Sequence, residues 1–419
     1  MTRLPALRLY YGLEFFLSMP TWIVISVYIV RGLHLSPLQL VLMGTAMEAA
    51  VFAFEVPTGV VADTYSRRLS LVIGFVGMGL AWMLVGIVSS PLLVIVLWAI
   101  WGISYTFTSG AYQAWLADEV GVDALGPALL RGARIGFAGS LVGLVALVGL
   151  SIVSLRVSVI AGGAITLACG VVAAFAMPET GFSRRPRSER AAPWAELAAT
   201  AAAGARFVRA RTLILLLIAS EVFAGMSSEA YDRLRDAHVL RDIGLPSRIS
   251  LAPAVWFGIV AAVAMLFGFA AVGVLLRRVE RRGTREVARA LVALLAVVFV
   301  AELLFARVGA FGLALAAMLV VSLARSLLGP VYMIWLNQQI TDSSVRATVI
   351  SISGQADAIG QAAGGPALGA IGNAWGIRAA LTAGALVLLP ALGFYGRALG
   401  HDGREPELEA LPAPSPVAG

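Results

Sequence analysis

Five ionisable residues stand inside stretches that are otherwise apolar: Glu14, Glu48, Glu221, Arg325 and Asp357. A charge at the centre of a bilayer costs at least ~2.5–3.5 kcal/mol on insertion scales, so each needs a partner or a task. A carboxyl taken out of water holds its proton more readily, and a bound substrate or a nearby Arg then decides when it is released. Carboxyls so placed suit proton exchange. The three His, at positions 34, 238 and 401, fall in predicted loops or the tail, which leaves any proton relay to Glu and Asp. Each charge also has a plain structural alternative. An intramembrane Glu often only bonds a neighbouring helix, and Arg325 neutralises Asp357. Glu55, near the end of its stretch, has Arg134 as a static partner. Glu229, Asp232 and Arg233 are read as the start of a mixed-charge outer loop, a gate rim or a solvated face.

Other chemistries lack their residues. There is no Walker-type phosphate loop, so ATP does not drive a cycle directly. No His/Cys group has metal-ligand spacing, and no nucleophile elbow is present. Cys169 is alone, which excludes an intramolecular disulfide and a Cys-based zinc site. The expectation is a protein without a cofactor and without enzymatic chemistry.

The elements that carry these charges follow from composition. Of 419 residues 59% are hydrophobic and 13% charged, and the mean hydropathy is +0.89. An ordinary soluble domain carries roughly 25% charged residues, and disordered chains are poor in apolar ones. Neither class fits. A spanning helix uses about 20 apolar residues, and twelve such stretches can be marked off: 7–30, 38–61, 69–88, 92–117, 128–153, 157–177, 211–230, 251–276, 287–305, 309–336, 347–371 and 376–396. The breaks carry turn residues such as Ser36-Pro37, Ser89-Ser90-Pro91, Gly121 and Gly309. The first stretch is too long for a signal-peptide core and no small-residue cleavage site follows it. The net charge is +7 and every basic residue is Arg. Those Arg stand between apolar spans, which suits an anionic membrane face better than nucleic acid. Most fall in alternate breaks, including Arg67-Arg68 and the runs at 184–211 and 277–289, so the positive-inside rule places both termini in the cytoplasm.

The break from Pro178 to Arg209 divides six spans from six, which predicts bundles over 1–177 and 210–397. Between them lies a cytoplasmic linker, 178–209, with a short amphipathic helix around 193–208. The tail, 398–419, is expected to be disordered. Tyr112-Gln113-Ala114-Trp115-Leu116 near the end of the fourth span recurs as Tyr332-Met333-Ile334-Trp335-Leu336 near the end of the tenth. Two membrane halves related by a repeat, with a substrate site between them near the midplane, are a transporter pattern. Trp115 and Trp335, close to span ends, are read as interfacial anchors.

The turn after the second span reads Gly59-Val60-Val61-Ala62-Asp63-Thr64-Tyr65-Ser66-Arg67-Arg68. It resembles the 2–3 loop signature of the major facilitator superfamily, with Val61 for the usual Leu and Ser66 for the usual Gly. A weaker copy without the Asp, Gly273 to Gly283, follows the eighth span. The segments Ser109–Asp118, Ser228–Leu234 and Arg346–Ser351 are similar to a bacterial drug-efflux-like, tetracycline-efflux-like branch. The antiporter motif expected in the fifth span is absent; that span has Gly132, Gly136, Gly139, Gly143 and Gly149 without a following Pro.

The resemblance implies twelve transmembrane helices in two pseudo-symmetric six-helix bundles. Gly59, Asp63, Arg67, Arg68 and Asp118 form a conformational latch: Asp63 faces the N-terminus of the eleventh span around Ser343–Thr348, where the helix dipole favours an anion, and Arg67 or Arg68 pairs with Asp118. The bland alternative is that these charges only fix topology. Spans 1, 4, 7 and 10 would line a cavity, with Phe15, Trp22, Trp101, Tyr105, Phe223 and Tyr332 as wall candidates. Such a cavity suits amphipathic or planar organic molecules. The expected activity is proton-coupled efflux by a monomer of a bacterial inner membrane. Uptake symport of a metabolite is the alternative, and a non-transporting intramembrane enzyme or scaffold the alternative of another class.

Overall fold

The computed structural model describes residues 3–182, 202, 204–246, 249–279, 283–340 and 345–401. It is all helical over its regular elements. In chain order the segments are α1 (Leu4–Gly32), α2 (Pro37–Thr64), α3 (Arg67–Val85), α4 (Pro91–Val120), α5 (Val122–Val153), α6 (Leu155–Ala176), α7 (Thr212–Ile243), α8 (Pro253–Val279), α9 (Thr284–Arg307), α10 (Phe311–Gln339), α11 (Arg346–Trp375) and α12 (Ile377–Gly400). Among the described residues, ten of these are long and apolar enough to cross a membrane. The other two are α8, apolar over Pro253–Gly268, and the glycine-rich α11.

Local sequence sets the boundaries. Ser36 accepts from the Gln39 N–H while Gln39 returns a bond to the Ser36 N–H, a capping box with Pro37 in the first turn. Ser66 and Ser154 cap α3 and α6 in the same way, accepting from Leu69 and Val157. α1 is broken at 18–21, where Thr21 caps its second part. α4 is broken at 107–110, where Gly110 takes a φ of 70° that disfavours a side chain.

Helices α1–α6 pack chiefly on one another, as do α7–α12, with a seam crossed by α2 against α11 and α7, α5 against α8, and α1 against α8. In lipid, close approach of backbones replaces hydrophobic collapse as the source of attraction. The glycines of α5 serve this purpose. A side chain at Gly139 or Gly143 would overlap the carbonyls of Phe15 and Met19 on α1.

Two expectations are overturned here. The seventh span does not end near 230; α7 runs to Ile243, so Glu229, Asp232 and Arg233 lie on a helix and not in an outer loop. Their charges are matched along that helix, Glu229 with Arg233 at 3.2 Å, Asp232 with Arg235 at 3.5 Å and His238 with Asp242 at 2.8 Å. Pairs three and four apart support a helix rather than breaking it, and the stop comes only at Gly244, with φ 83°. His238, expected in a loop, is therefore a buried helix residue.

The second concerns Trp115 and Trp335, which are 1% and 0% exposed and sit in the cores of the first and last six helices. Trp115 donates to the Pro178 carbonyl at 2.7 Å. Their place near span ends marks a packed corner, the same in each half, and no interfacial belt. Of the predicted linker helix, 204–209 is helical, while 183–201, 203 and the tail from 402 lie outside the described residues.

Candidate functional site

The seam closes at the end of the bundle opposite the chain termini, here called the far end. There α11 presents Gly365 to Val41 and Thr45, Gly369 to Leu38 and Val41, and Gly372 to Pro37 of α2. Polar ties reinforce the contact. The Leu38 N–H donates to Asn373 Oδ1 at 3.0 Å. Arg241 donates to the carbonyls of Val30 and Leu35 at 3.1 and 2.8 Å. Toward the termini end these glycine contacts give out: a Cβ added at Gly59 of α2 or Gly354 of α11 would meet nothing within 4 Å.

Beneath the far-end seal lies a cavity of about 370 Å³, within the usual range for small-molecule sites. One wall, from α1, α2 and α4, is apolar but for Ser26: Trp22, Ile25, Ile29, Leu40, Met43, Met47 and Trp98. The other, chiefly from α7, is charged: Glu229, Asp232, Arg233, Arg235 and Asp236, with Gln361 of α11. Trp22 stacks on Trp98 with centroids 5.2 Å apart and an interplanar angle of 20°. The stack continues edge-on to Trp101, which lies parallel to Tyr105 at 5.6 Å.

Of the six expected wall residues, Trp22 lines this cavity, and Trp101 and Tyr105 extend its aromatic stack. Phe15 packs edge-on against Phe16, and Phe223 lies tilted against Phe394. Tyr332 is a correction: it is 4% exposed and shares a 2.7 Å hydrogen bond with Ser353, inside the core of the last six helices. Its position near the end of α10 points it at α12, where Tyr395 lies 6.5 Å away.

The charges also regroup. Arg325 makes its direct ion pairs with carboxylates other than Asp357. It pairs with Glu302 of α9 at 2.9 Å and Asp232 of α7 at 3.0 Å and lies 4.9 Å over the Tyr231 ring. Ser227 donates to the other oxygen of Glu302. This network supports the charged wall from behind. Asp357 accepts from Gln361 at 2.8 Å, and Glu221 accepts from Tyr395 at 2.9 Å. Glu55 accepts from Ser109 at 2.7 Å, so its partner is not Arg134. Glu14 stands beside Tyr10. Glu48, half-buried on α2, makes no hydrogen bond or ion pair among the described residues. Arg233, Arg235 and Asp236, central to the wall, were missed as cavity residues because a dense charge run reads as loop. The i, i+3 and i, i+4 alternation of sign was the signal available.

At the termini end Arg67 pairs with Asp118, donates to the Ala114 carbonyl, and lies 3.8 Å from Asp63. Arg68 donates to the Ala174 carbonyl, and its N–H joins Ser66 in binding Glu179. The turn is thus anchored to the first six helices and to Glu179 just beyond them. Asp63 is half-exposed; residues 341–344, which include part of its expected partner, lie outside the described residues, as do most side chains of the weaker motif copy. No group of residues able to hold a metal is found among the described residues.

The signature of the Major Facilitator Superfamily matches residues 9–338. An uncharacterized MFS-type transporter, YxaM of Bacillus subtilis (strain 168), is 32% identical over 98 residues, 23% of this chain and 25% of that protein. The match thus spans a quarter of the relative's length. The nucleoside transporter NupG superposes with a TM-score of 0.72 at 12% identity, over 95% of this chain and 99% of that one. A bacterial homolog of the human lysosomal transporter Spinster, inward-facing and unoccupied, gives 0.73 at 16% over 95% and 96%. A POT family transporter in complex with 5-aminolevulinic acid gives 0.72 at 12% over 95% and 96%. At these identities the likeness is one of fold.

Proposed function

The chain belongs to the major facilitator superfamily of secondary transporters, and from that membership we propose that it exports small amphipathic organic compounds in exchange for protons. The observation that carries the reading is the cavity between two six-helix groups, shut at the far end where α2 meets α11 through Gly365, Gly369 and Gly372. Residues 1–177 and 210–397 are the two rocking bodies, joined by 178–209. With both termini in the cytoplasm of a bacterial inner membrane, the structure stands inward-facing and cargo enters from the cytoplasm. The aromatic wall suits planar or amphipathic molecules. Export is favoured over uptake by the segments similar to drug-efflux proteins, of which Ser228–Leu234 supplies three charges of the cavity wall.

Glu48 carries the exchangeable proton, because among the described residues it has no hydrogen bond or ion pair to hold its carboxyl in one state, with Glu221, Asp357 and Glu14 as the further carboxyls of the path. Gly59, Asp63, Arg67, Arg68 and Asp118 form the latch that closes the termini end when the far end opens, Asp63 then meeting the start of α11. The test is an everted-vesicle assay with an acidified lumen and a fluorescent amphipathic dye. Dye-evoked alkalinisation of the lumen is expected. Its absence with every dye tried, or alkalinisation only when dye leaves the lumen as in uptake symport, overturns the export reading.

A further inference from the structure

We infer that the cavity is built for an organic monocation with an aromatic body, which binds by taking the seat that Arg233 occupies between Glu229 and Trp98. This deepens the transport reading by naming the class of cargo.

Arg233 holds two contacts at once. Its Nε lies 3.2 Å from Glu229 Oε1 on its own helix. Its guanidinium carbon lies 5.9 Å from the centre of the Trp98 ring, on α4 across the seam. A carboxylate on one side and an indole face on the other is how proteins hold organic cations. The seat is made to measure. Glu229 is 1% exposed, and α2 passes it with Gly44, where a Cβ would overlap both Glu229 Oε1 and Arg233 Nε. The chain fills a cation site with a tethered cation of its own.

Charge balance selects the sign of the cargo. The wall carries three carboxylates, Glu229, Asp232 and Asp236, against two guanidiniums, Arg233 and Arg235. An anion would add to this excess of negative charge, and a neutral molecule would bring no charge to pair with Glu229 once Arg233 has moved. A monocation replaces the guanidinium at Glu229, while its aromatic body lies on the Trp22 and Trp98 rings.

Displaced, Arg233 requires a second carboxylate, and Glu48 provides one. Glu48 stands one turn beyond Gly44 on α2, and the groups that act on it are Arg233 and Glu229 of α7, Asp357 of α11 and Tyr105 of α4. When Glu48 carries a proton it cannot receive the guanidinium and the seat stays filled. Cargo binding therefore releases that proton: the O–H bond of Glu48 breaks and its proton passes to solvent water, the guanidinium takes its place, and the cargo cation pairs with Glu229. One positive charge arrives and one leaves, which is the exchange an antiporter needs.

The test is calorimetric binding to the purified full-length protein, without a gradient, of three near-isosteres: 1-methylquinolinium, 1-methylnaphthalene and 1-naphthoate. The cation is expected to bind about tenfold or more tightly than the other two, a difference of about 1.4 kcal/mol or more, with affinity rising with pH. Arg233→Gln removes the tethered competitor, so cation binding, read at alkaline pH where Glu229 is ionised, tightens by a further factor of about ten. Glu48→Gln removes the second seat, so cation binding weakens in the otherwise native protein. Weaker or unchanged cation binding in Arg233→Gln, preference for the naphthoate, or no binding of any of the three overturns the inference. Should Arg233→Gln fail to fold, Glu229→Gln/Arg233→Gln buries no unpaired charge and decides the matter. Loss of discrimination between methylquinolinium and methylnaphthalene supports the seat, and retained discrimination overturns it. Because binding is read without transport, its failure is distinct from a failure of the vesicle assay.

Discussion

Ser26 on α1 donates its hydroxyl to Asp236 Oδ2 on α7 across 2.6 Å, a hydrogen bond between the two six-helix groups. Nearby, Asn373 and Arg241 take up backbone groups at the ends of α2 and α1. Helix ends leave such groups unpaired, and water serves them equally once they part. A seal made this way opens without leaving buried polar atoms unsatisfied, which suits a contact that must break and reform.

Ser26→Ala therefore loosens the far end. A hydrogen bond to a charged acceptor contributes ~1.5–3 kcal/mol, so the open population rises about tenfold or more. Labelling of a Cys at Met43 by an impermeant maleimide reads this in a Cys169→Ser background, where no native thiol competes. Labelling equal to that with Ser26 intact would show that this bond does not hold the seal.

Gly369→Leu acts on the same closure by volume. A Cβ at 369 already comes to 3.0–3.2 Å of Leu38 and Val41, and the rest of a Leu side chain has no room while α2 and α11 touch. The far end is expected to stay open, with transport lost and Met43-site labelling at its maximum. Transport at the native rate would place the two helices further apart than the structure does.

Arg325→Met leaves Glu302, 2% exposed, with its cationic partner gone. Removing one member of a buried pair costs about 3–5 kcal/mol, so the protein should lose thermal stability in detergent. Glu302→Gln/Arg325→Met is expected to recover most of the loss. Equal instability of single and double variants would mean that packing, not charge, is what Arg325 supplies.

Asp118→Asn keeps the shape of the Arg67 contact and removes its charge. The pair is partly exposed, so the loss is about 1 kcal/mol, a Tm lower by roughly 2–4 °C. A shift well beyond that would give the α2–α3 turn a larger part in the fold than its contacts indicate.

Glu48→Gln should abolish dye-evoked proton movement in everted vesicles, whereas Glu221→Gln, whose carboxylate is already held by Tyr395, should retain it in part. The reverse order would move the exchangeable proton to Glu221.

The all-helical membrane fold, the order of its helices and the pairing of Arg67 with Asp118 beside the 2–3 turn were legible in the sequence. These depend on local quantities: hydropathy over about 20 residues, capping residues at the breaks, and a repeated Tyr-x-x-Trp-Leu corner. The length of α7 was not legible, because hydropathy alone cannot distinguish a charge run in a loop from one whose signs alternate at helical spacing.

Partners across helices were decided by the tertiary structure alone. Which carboxylate Arg325 meets directly depends on the depth at which α7, α9 and α10 cross, and Glu302 and Asp232 lie within ion-pair distance at that depth. Whether an aromatic faces a cavity or a core depends on the rotation of its helix: Trp22 and Trp98 turn to the seam, Tyr332 and Trp335 away from it. A bilayer imposes apolarity along each helix, and the sequence records that directly. It is indifferent to how the helices are rotated and staggered against one another, and that is settled only when glycines, ion pairs and ring contacts from distant parts of the chain meet.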